Sequence, residues 1–270
     1  ITAIFFFTAD MTVTADEFFT AVKEKDMDKA YTYLSEDFRA GTTKENLQGY
    51  LEGNSLSNFK EASWESRSIN GGRGDLTGSI TTDSGGVVPI TLSFVKSEDG
   101  WKIYSILKPS SGIQEETSSH EIPAENDLVQ LVNESMSVFA VSVNDRSMNK
   151  FHKHISNMWQ QQFTIEKLDE IFSPFYDSGA DFTVLREFSP SFSGKPTIDE
   201  NGILLITGYY PTKPDQAHFE QKYIYEGLGW KLFAFNIEIK IIITRSSTGL
   251  PKASLLLRKT RKRTATFVNR

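Results

Sequence analysis

The chain predicts an α+β protein made of two tandem domains, each with three helices packed on a curved four-stranded antiparallel sheet. Three observations carry this. Residues 18–51 lie on residues 139–172 without a gap, at a constant offset of 121. Phe18, Val22, Met27, Lys29, Ser35, Thr43, Glu45 and Leu47 then meet Phe139, Val143, Met148, Lys150, Ser156, Thr164, Glu166 and Leu168, and Phe38 meets Trp159. Farther on, Gly100-Trp101-Lys102 matches Gly229-Trp230-Lys231 and Thr77-Gly78 matches Thr207-Gly208, at offsets of 129 and 130. In each half a helical period gives way to strand-like alternation. A chain of 270 residues is also the length of two ordinary domains.

The elements follow in order. Residues 1–11 open with a dense apolar run, Ile4-Phe5-Phe6-Phe7, shorter than the roughly 20 residues that cross a bilayer. It reads as the outer end of a membrane anchor or signal segment, or as a short strand or a frayed terminus. The first domain is expected over residues 12–107. Thr14-Ala15-Asp16-Glu17 fits a capping box, with Ala15, Phe18, Phe19 and Val22 at helical spacing behind it. A second helix starts at Asp26 or Asp28, and a third runs from Thr42-Thr43 to Gly53. Strands are expected near 62–69, 73–82, 87–96 and 101–107. Asn70-Gly71-Gly72, Asp83-Ser84-Gly85-Gly86 and Ser97-Glu98-Asp99-Gly100 separate them, residues that tolerate positive φ in hairpin turns.

Residues 108–126, rich in Pro, Ser and Glu, read as a linker. The second domain is expected over residues 127–240. Its first helix carries Leu128, Leu131, Val132, Ser135, Phe139 and Val143, and two more cover about 147–157 and 164–172. Strands follow near 181–188, 203–210, 218–225 and 230–239. Residues 241–270 read as a disordered basic tail, with eight Lys and Arg and no acid. The net charge of −6 therefore leaves −14 on the body, which argues against nucleic acid as its partner. With no cysteine, disulfides, thiolate metal sites and a Cys nucleophile are excluded.

The first domain resembles the nuclear-transport-factor-2-like (cystatin-like) superfamily, most of all extracytoplasmic bacterial members of unassigned function. The carrying residues are Ala15-Asp16-Glu17-Phe18-Phe19, Asp28-Lys29-Ala30-Tyr31, Phe38-Arg39, Trp64, Gly72-Arg73-Gly74, Pro89-Ile90-Thr91-Leu92 and Gly100-Trp101-Lys102-Ile103-Tyr104. The resemblance implies a cone, in which the sheet wraps the long helix and leaves a hollow at its wide end. Ketosteroid isomerase, SnoaL-type polyketide cyclases and limonene epoxide hydrolase work in such a hollow. Other members only bind or assemble, so the fold does not choose between the two.

No phosphate loop, HExxH or GxSxG is present, and neither a cofactor nor a metal is expected. Most acids of the first half fall in turns or at helix ends, where capping explains them. His152 and His154 lie about 200° apart on a helix and cannot grip one metal together. They stand where Tyr31 and Tyr33 stand in the first half. His218 and Glu220 alternate on one strand and share a face, with Tyr209 on the strand before. These three form the candidate polar pocket. Arg73-Gly74-Asp75 spells an integrin-binding tripeptide but opens a strand. The four tryptophans read as core anchors. The expectation is a non-catalytic binding or assembly module, membrane-tethered and facing outward, for a protein or small-molecule partner. The alternatives are a soluble small-molecule isomerase, cyclase or hydrolase using the second hollow, and a structural role in which the two domains pair with each other.

Overall fold

The computed structural model describes residues 2–109, 122–178, 180–213, 215–241 and 264–265. The chain divides into two compact units. Unit 1 is Ile1–Glu121 with Glu200–Ile203 and Ile224–Lys231, and unit 2 is Ile122–Asp199, Leu204–Tyr223 and Leu232–Arg270. Both combine helices with an antiparallel sheet.

Unit 1 opens with α1 (Thr2–Lys23), α2 (Met27–Thr32), α3 (Glu36–Gly41) and α4 (Lys44–Gly53). Helix α1 begins well before the expected cap. Thr14 lies in mid-helix, and its Oγ1 donates to the Trp101 carbonyl at 3.5 Å instead of capping. The apolar run from Thr2 is helical rather than a strand. Among the described residues no helix is long and apolar enough to cross a membrane. Helix α3 was not expected. Ser35 starts it, its Oγ accepting from Phe38 N at 3.1 Å while Ser35 N donates to the Ile103 carbonyl at 2.9 Å.

Sheet A follows, in the order β1 (Phe59–Asn70), β2 (Arg73–Thr82), β3 (Val87–Ser97) and β4 (Gly100–Leu107). These are the four expected strands, and all three turns hold glycines at positive φ, Gly71 and Gly72 in the first, Gly85 in the second and Gly100 in the third. Bulges at Lys60 and Glu65 bend the edge strand β1 and place a charge at each irregularity, a guard against pairing with other chains. Met11, Ala15, Phe18, Phe19 and Val22 form the buried stripe of α1. Phe19 stacks on Phe59 at 5.4 Å. Each such ring contributes about 1.5–3 kcal/mol by burial.

Unit 2 holds α5 (Glu125–Asn144), α6 (Asn149–His154), α7 (Asn157–Gln162) and α8 (Ile165–Tyr176). Helix α5 begins inside the stretch read as a linker, most of which lies outside the described residues. The expected second helix is two. Ile155 turns extended (ψ 164), and Ser156 then caps α7 by accepting from Trp159 N at 3.2 Å.

The expected strand at 181–188 is instead a 3-10 helix, Phe182–Glu187. Asp181 accepts from Thr183 N at 2.8 Å, and burial falls on Phe182 and Leu185, three residues apart as in a 3-10 turn, while Val184 is 41% exposed. The short strands β5 (Ser191–Phe192) and β6 (Thr197–Ile198) precede β7 (Leu204–Tyr210), β8 (Asp215–Glu226), β9 (Gly229–Ile241) and β10 (Thr264–Ala265). Sheet B is therefore six-stranded, β10-β9-β8-β7-β5 with β6 also on β7, where four strands were expected. Strand β10 pairs Thr264 with Glu238 and Ala265 with Ile237, and the rest of the basic tail lies outside the described residues.

Candidate functional site

Strands β7 and β8 pair Tyr209 with His218 and Thr207 with Glu220. The Tyr209 and His218 rings stack at 5.3 Å. Glu220 follows on the same face. That face is only half-buried, and it alternates with Ala217, Phe219, Gln221 and Tyr223, which are buried. The three residues thus point away from the packed interior of unit 2. Partial burial pushes the His218 pKa below the usual histidine value, the Lys240 ammonium adds to this, and Glu238 opposes it.

Among the described residues the interior around Phe139 is packed with rings. Phe139 meets Phe151, Phe172, Phe175, Phe182 and Phe235 with ring centroids 4.9–5.8 Å apart. Beside Met136, Phe182 and Tyr210 lies a small cleft of about 10 Å³, no more than one water needs. The polar side chains that enter the interior bind one another. Tyr223 Oη lies 3.0 Å from the Leu131 carbonyl and 3.1 Å from Ser135 Oγ, and it also reaches Gln221 Oε1. Ser135 Oγ meets His154 Nε2 at 3.0 Å. Tyr210 donates to Asn133 Oδ1 at 2.8 Å. The phenolic hydroxyl has one proton for the Leu131 carbonyl and Gln221 Oε1 and can accept from the Ser135 hydroxyl, so this core is organised around a shared hydroxyl. Burial pushes the Tyr223 pKa up, against the lowering effect of Ser135. Among the described residues the Gln221 Nε2 amide has no hydrogen-bond partner.

Sequence reasoning did not single out this network. Its signal was there, in Gln221 between Phe219 and Tyr223 on an alternating strand and in Ser135 on an apolar helical stripe. His152, the other helical histidine, lies 2.9 Å from the Phe163 carbonyl through Nε2. Among the described residues no three acidic or histidine side chains converge to hold a metal ion. On the outer side of α5 an open groove of about 650 Å³ is lined by Asn126, Val129, Asn133, Ser137, Val138 and His154.

In unit 1 a buried carboxylate stands out. Glu226 is 3% exposed and accepts from Tyr104 Oη at 3.1 Å. The Arg73 guanidinium lies 5.2 Å above the Tyr104 ring. Burial pushes the Tyr104 pKa up, the Glu226 charge pushes it further, and Arg73 opposes both. The Arg73-Gly74-Asp75 tripeptide is absorbed into the same sheet. Gly74 is buried, a Cβ there would stand 2.4 Å from Met11 Sδ, and Asp75 accepts from Ser68 Oγ at 3.2 Å. No loop apex presents it, as integrin recognition requires.

Comparison with known proteins adds little. No family model matches the chain, and no curated protein matches it. Among solved structures it is similar to a cystatin-like protein from Ruminococcus gnavus, at 12% identity over 85% of this chain and 89% of that one. The TM-score is 0.26, too slight a likeness to carry an argument.

Proposed function

We infer that the chain is a pair of nuclear-transport-factor-2-like modules, copied in tandem, that bind or assemble and do not catalyse. The filled interior of unit 2 carries this reading. A proton-transfer or hydrolytic site needs an open hollow with converging polar groups. Here the rings around Phe139 occupy that space, and Tyr223, Ser135 and His154 engage one another. The enzymatic alternative in the hollow would need His218, Glu220 and Tyr209 to face inward, whereas they alternate onto the other face.

Tandem copying is supported by bonds that recur between matching residues, at the offset of 121 in the helices and 129 in the last strand. Ser35 N donates to Ile103 O as Ser156 N does to Leu232 O, and Tyr31 Oη bonds the Thr42 carbonyl where His152 bonds that of Phe163. The apolar run at residues 4–7 supports an outward-facing membrane tether.

Two experiments test the reading. A panel of steroid, polyketide and epoxide compounds should not be turned over. Turnover of any of them would reject the non-catalytic assignment. Native protein should sediment with membranes and be released by detergent but not by salt, and release by salt alone rejects the tether.

A further inference from the structure

Strand β4 is an edge of sheet A, yet its main chain is engaged within unit 1 by the segment Glu226-Gly227-Leu228. Gly227 N donates to the Tyr104 carbonyl at 3.1 Å, and Ile106 N donates to the Gly227 carbonyl at 3.0 Å. The resulting bridge, Ser105 to Gly227, is parallel. Two main-chain bonds to one residue are how a peptide adds to a sheet edge, with side chains then supplying specificity.

Each residue of the segment meets different chemistry. The Glu226 carboxylate, 3% exposed, takes the Tyr104 hydroxyl, and Arg73 sits over that ring. A buried charge without such partners would be costly. Gly227 holds φ +64, and a Cβ there would stand 2.9 Å from Thr42 Oγ1 and 3.8 Å from the Phe38 ring, so a side chain is excluded both by conformation and by space. Leu228 packs on the apolar core of the unit. Tyr225 and Trp230 meet edge to face at 5.4 Å across the base of the turn, which shapes the segment before it docks.

We propose that the β4 edge of unit 1 is a peptide-recognition slot that reads a glutamate–glycine–leucine turn with its glycine in the left-handed region, and that residues 226–228, the turn between β8 and β9, are its resident occupant. Backbone pairing supplies affinity. The Tyr104–Arg73 pair selects the acid, Thr42 and Phe38 select glycine, and the core selects leucine. This rests on the binding-module reading and names what the module binds.

The test uses the full chain and a fluorescein-labelled peptide with the sequence of residues 224–230, read by anisotropy. Wild type, with the slot filled, should bind it at least tenfold more weakly than Gly227→Val, whose own segment cannot seat. In the Gly227→Val background, Tyr104→Phe should weaken binding about tenfold, and a peptide with Gln in place of Glu should bind correspondingly weakly. A Gly227→Val protein with wild-type circular dichroism that ignores the peptide overturns the proposal. If that variant does not fold, Glu226→Gln replaces it, since it keeps shape and loses charge. It should raise peptide binding at least tenfold by freeing the slot more often, and equal binding by Glu226→Gln and wild type overturns the proposal. Loss of the slot would leave the small-molecule panel silent, whereas failure of the binding-module reading would appear in that panel, so the two failures are distinct.

Discussion

Both units end their first long helix on a non-glycine residue in the left-handed region, Lys25 at φ 61 and Arg146 at φ 51. Both then start a short helix on a serine that caps an aromatic residue, Ser35 for Phe38 and Ser156 for Trp159. Both start the next on a threonine, Thr43 and Thr164, which accept from Asn46 N and Lys167 N at 3.2 and 3.3 Å. Beyond the helices they part. Unit 1 begins its sheet with a 12-residue strand, while unit 2 has a 3-10 helix and two strands of two residues. Strand β3 buries Leu92 and Phe94, and β8 buries Gln221 and Tyr223. Local capping chemistry is thus common to both units, while the sheet and the interior polarity differ. A hydroxyl cap depends on one side chain and two backbone angles, whereas a strand depends on everything packed against it.

The largest test of this comparison lies at the two matching glycines. A Cβ on Gly78 would stand 2.0 Å from the Ser63 carbonyl oxygen and 2.9 Å from Trp64 Cα, main-chain atoms of a strand paired from Phe59 to Asn70 apart from its two bulges. Gly78→Ala should cost about 3 kcal/mol in urea unfolding, the upper end for overpacking. At Gly208 the atoms are the Ser191 oxygen at 2.5 Å and the Phe219 ring tip at 2.7 Å. Strand β5, which carries Ser191, has only two residues and can shift, so Gly208→Ala should cost roughly 1 kcal/mol. Equal costs would mean that the short strand is as rigid as the long one.

Next in size is the polar core. Tyr223→Phe keeps the ring and removes the hydroxyl that serves Leu131, Ser135 and Gln221. It should cost about 2 kcal/mol, since buried groups lose their partner. If stability is unchanged, the network is incidental and the two interiors are alike in energetic terms.

The same contrast explains what the sequence made legible. The turns holding Gly71-Gly72, Gly85 and Gly100 announced sheet A, because few residues tolerate those angles. The strand expected at 181–188 failed because alternation of Phe182, Val184 and Arg186 resembles a strand, while the Asp181 side chain closes a turn that periodicity does not see. Helices α3 and α7 are six residues each, too short for an apolar period, and only Ser35 and Ser156 marked them. Tyr209 and His218 were brought together as expected, but which face of the strand turns inward depended on the rings of Phe219 and Tyr223, large groups on the opposite parity. The slot on β4 had no signal in either half alone, since Tyr104 and Glu226 are 122 residues apart.

Cap deletions come next. Ser35→Ala and Ser156→Ala should each cost about 1 kcal/mol. Because the capped bonds are 3.1 and 3.2 Å and both serines are buried, the two losses should agree within error. A difference above the cost of one cap would show that the shared pattern is held by different forces.

The smallest effect has the most informative sign. Lys25 N and Arg146 N bond Val22 O and Val143 O at 3.0 and 3.1 Å, so the two turns have the same backbone. A side chain in this region costs about 1–2 kcal/mol, partly offset by the greater freedom glycine loses on folding. Lys25→Gly should therefore stabilise by roughly 0.5 kcal/mol. Arg146 also donates to Asp177 Oδ1 at 2.7 Å and to the Tyr176 carbonyl at 3.2 Å, and its guanidinium lies over the Tyr176 ring. That pair is exposed and worth little alone, yet its loss is of the same size as the backbone gain. Arg146→Gly should leave Tm unchanged or slightly lower, while Lys25→Gly raises it. If both variants rise together, the arginine contacts contribute nothing and the two turns are equivalent in energy as well as in geometry.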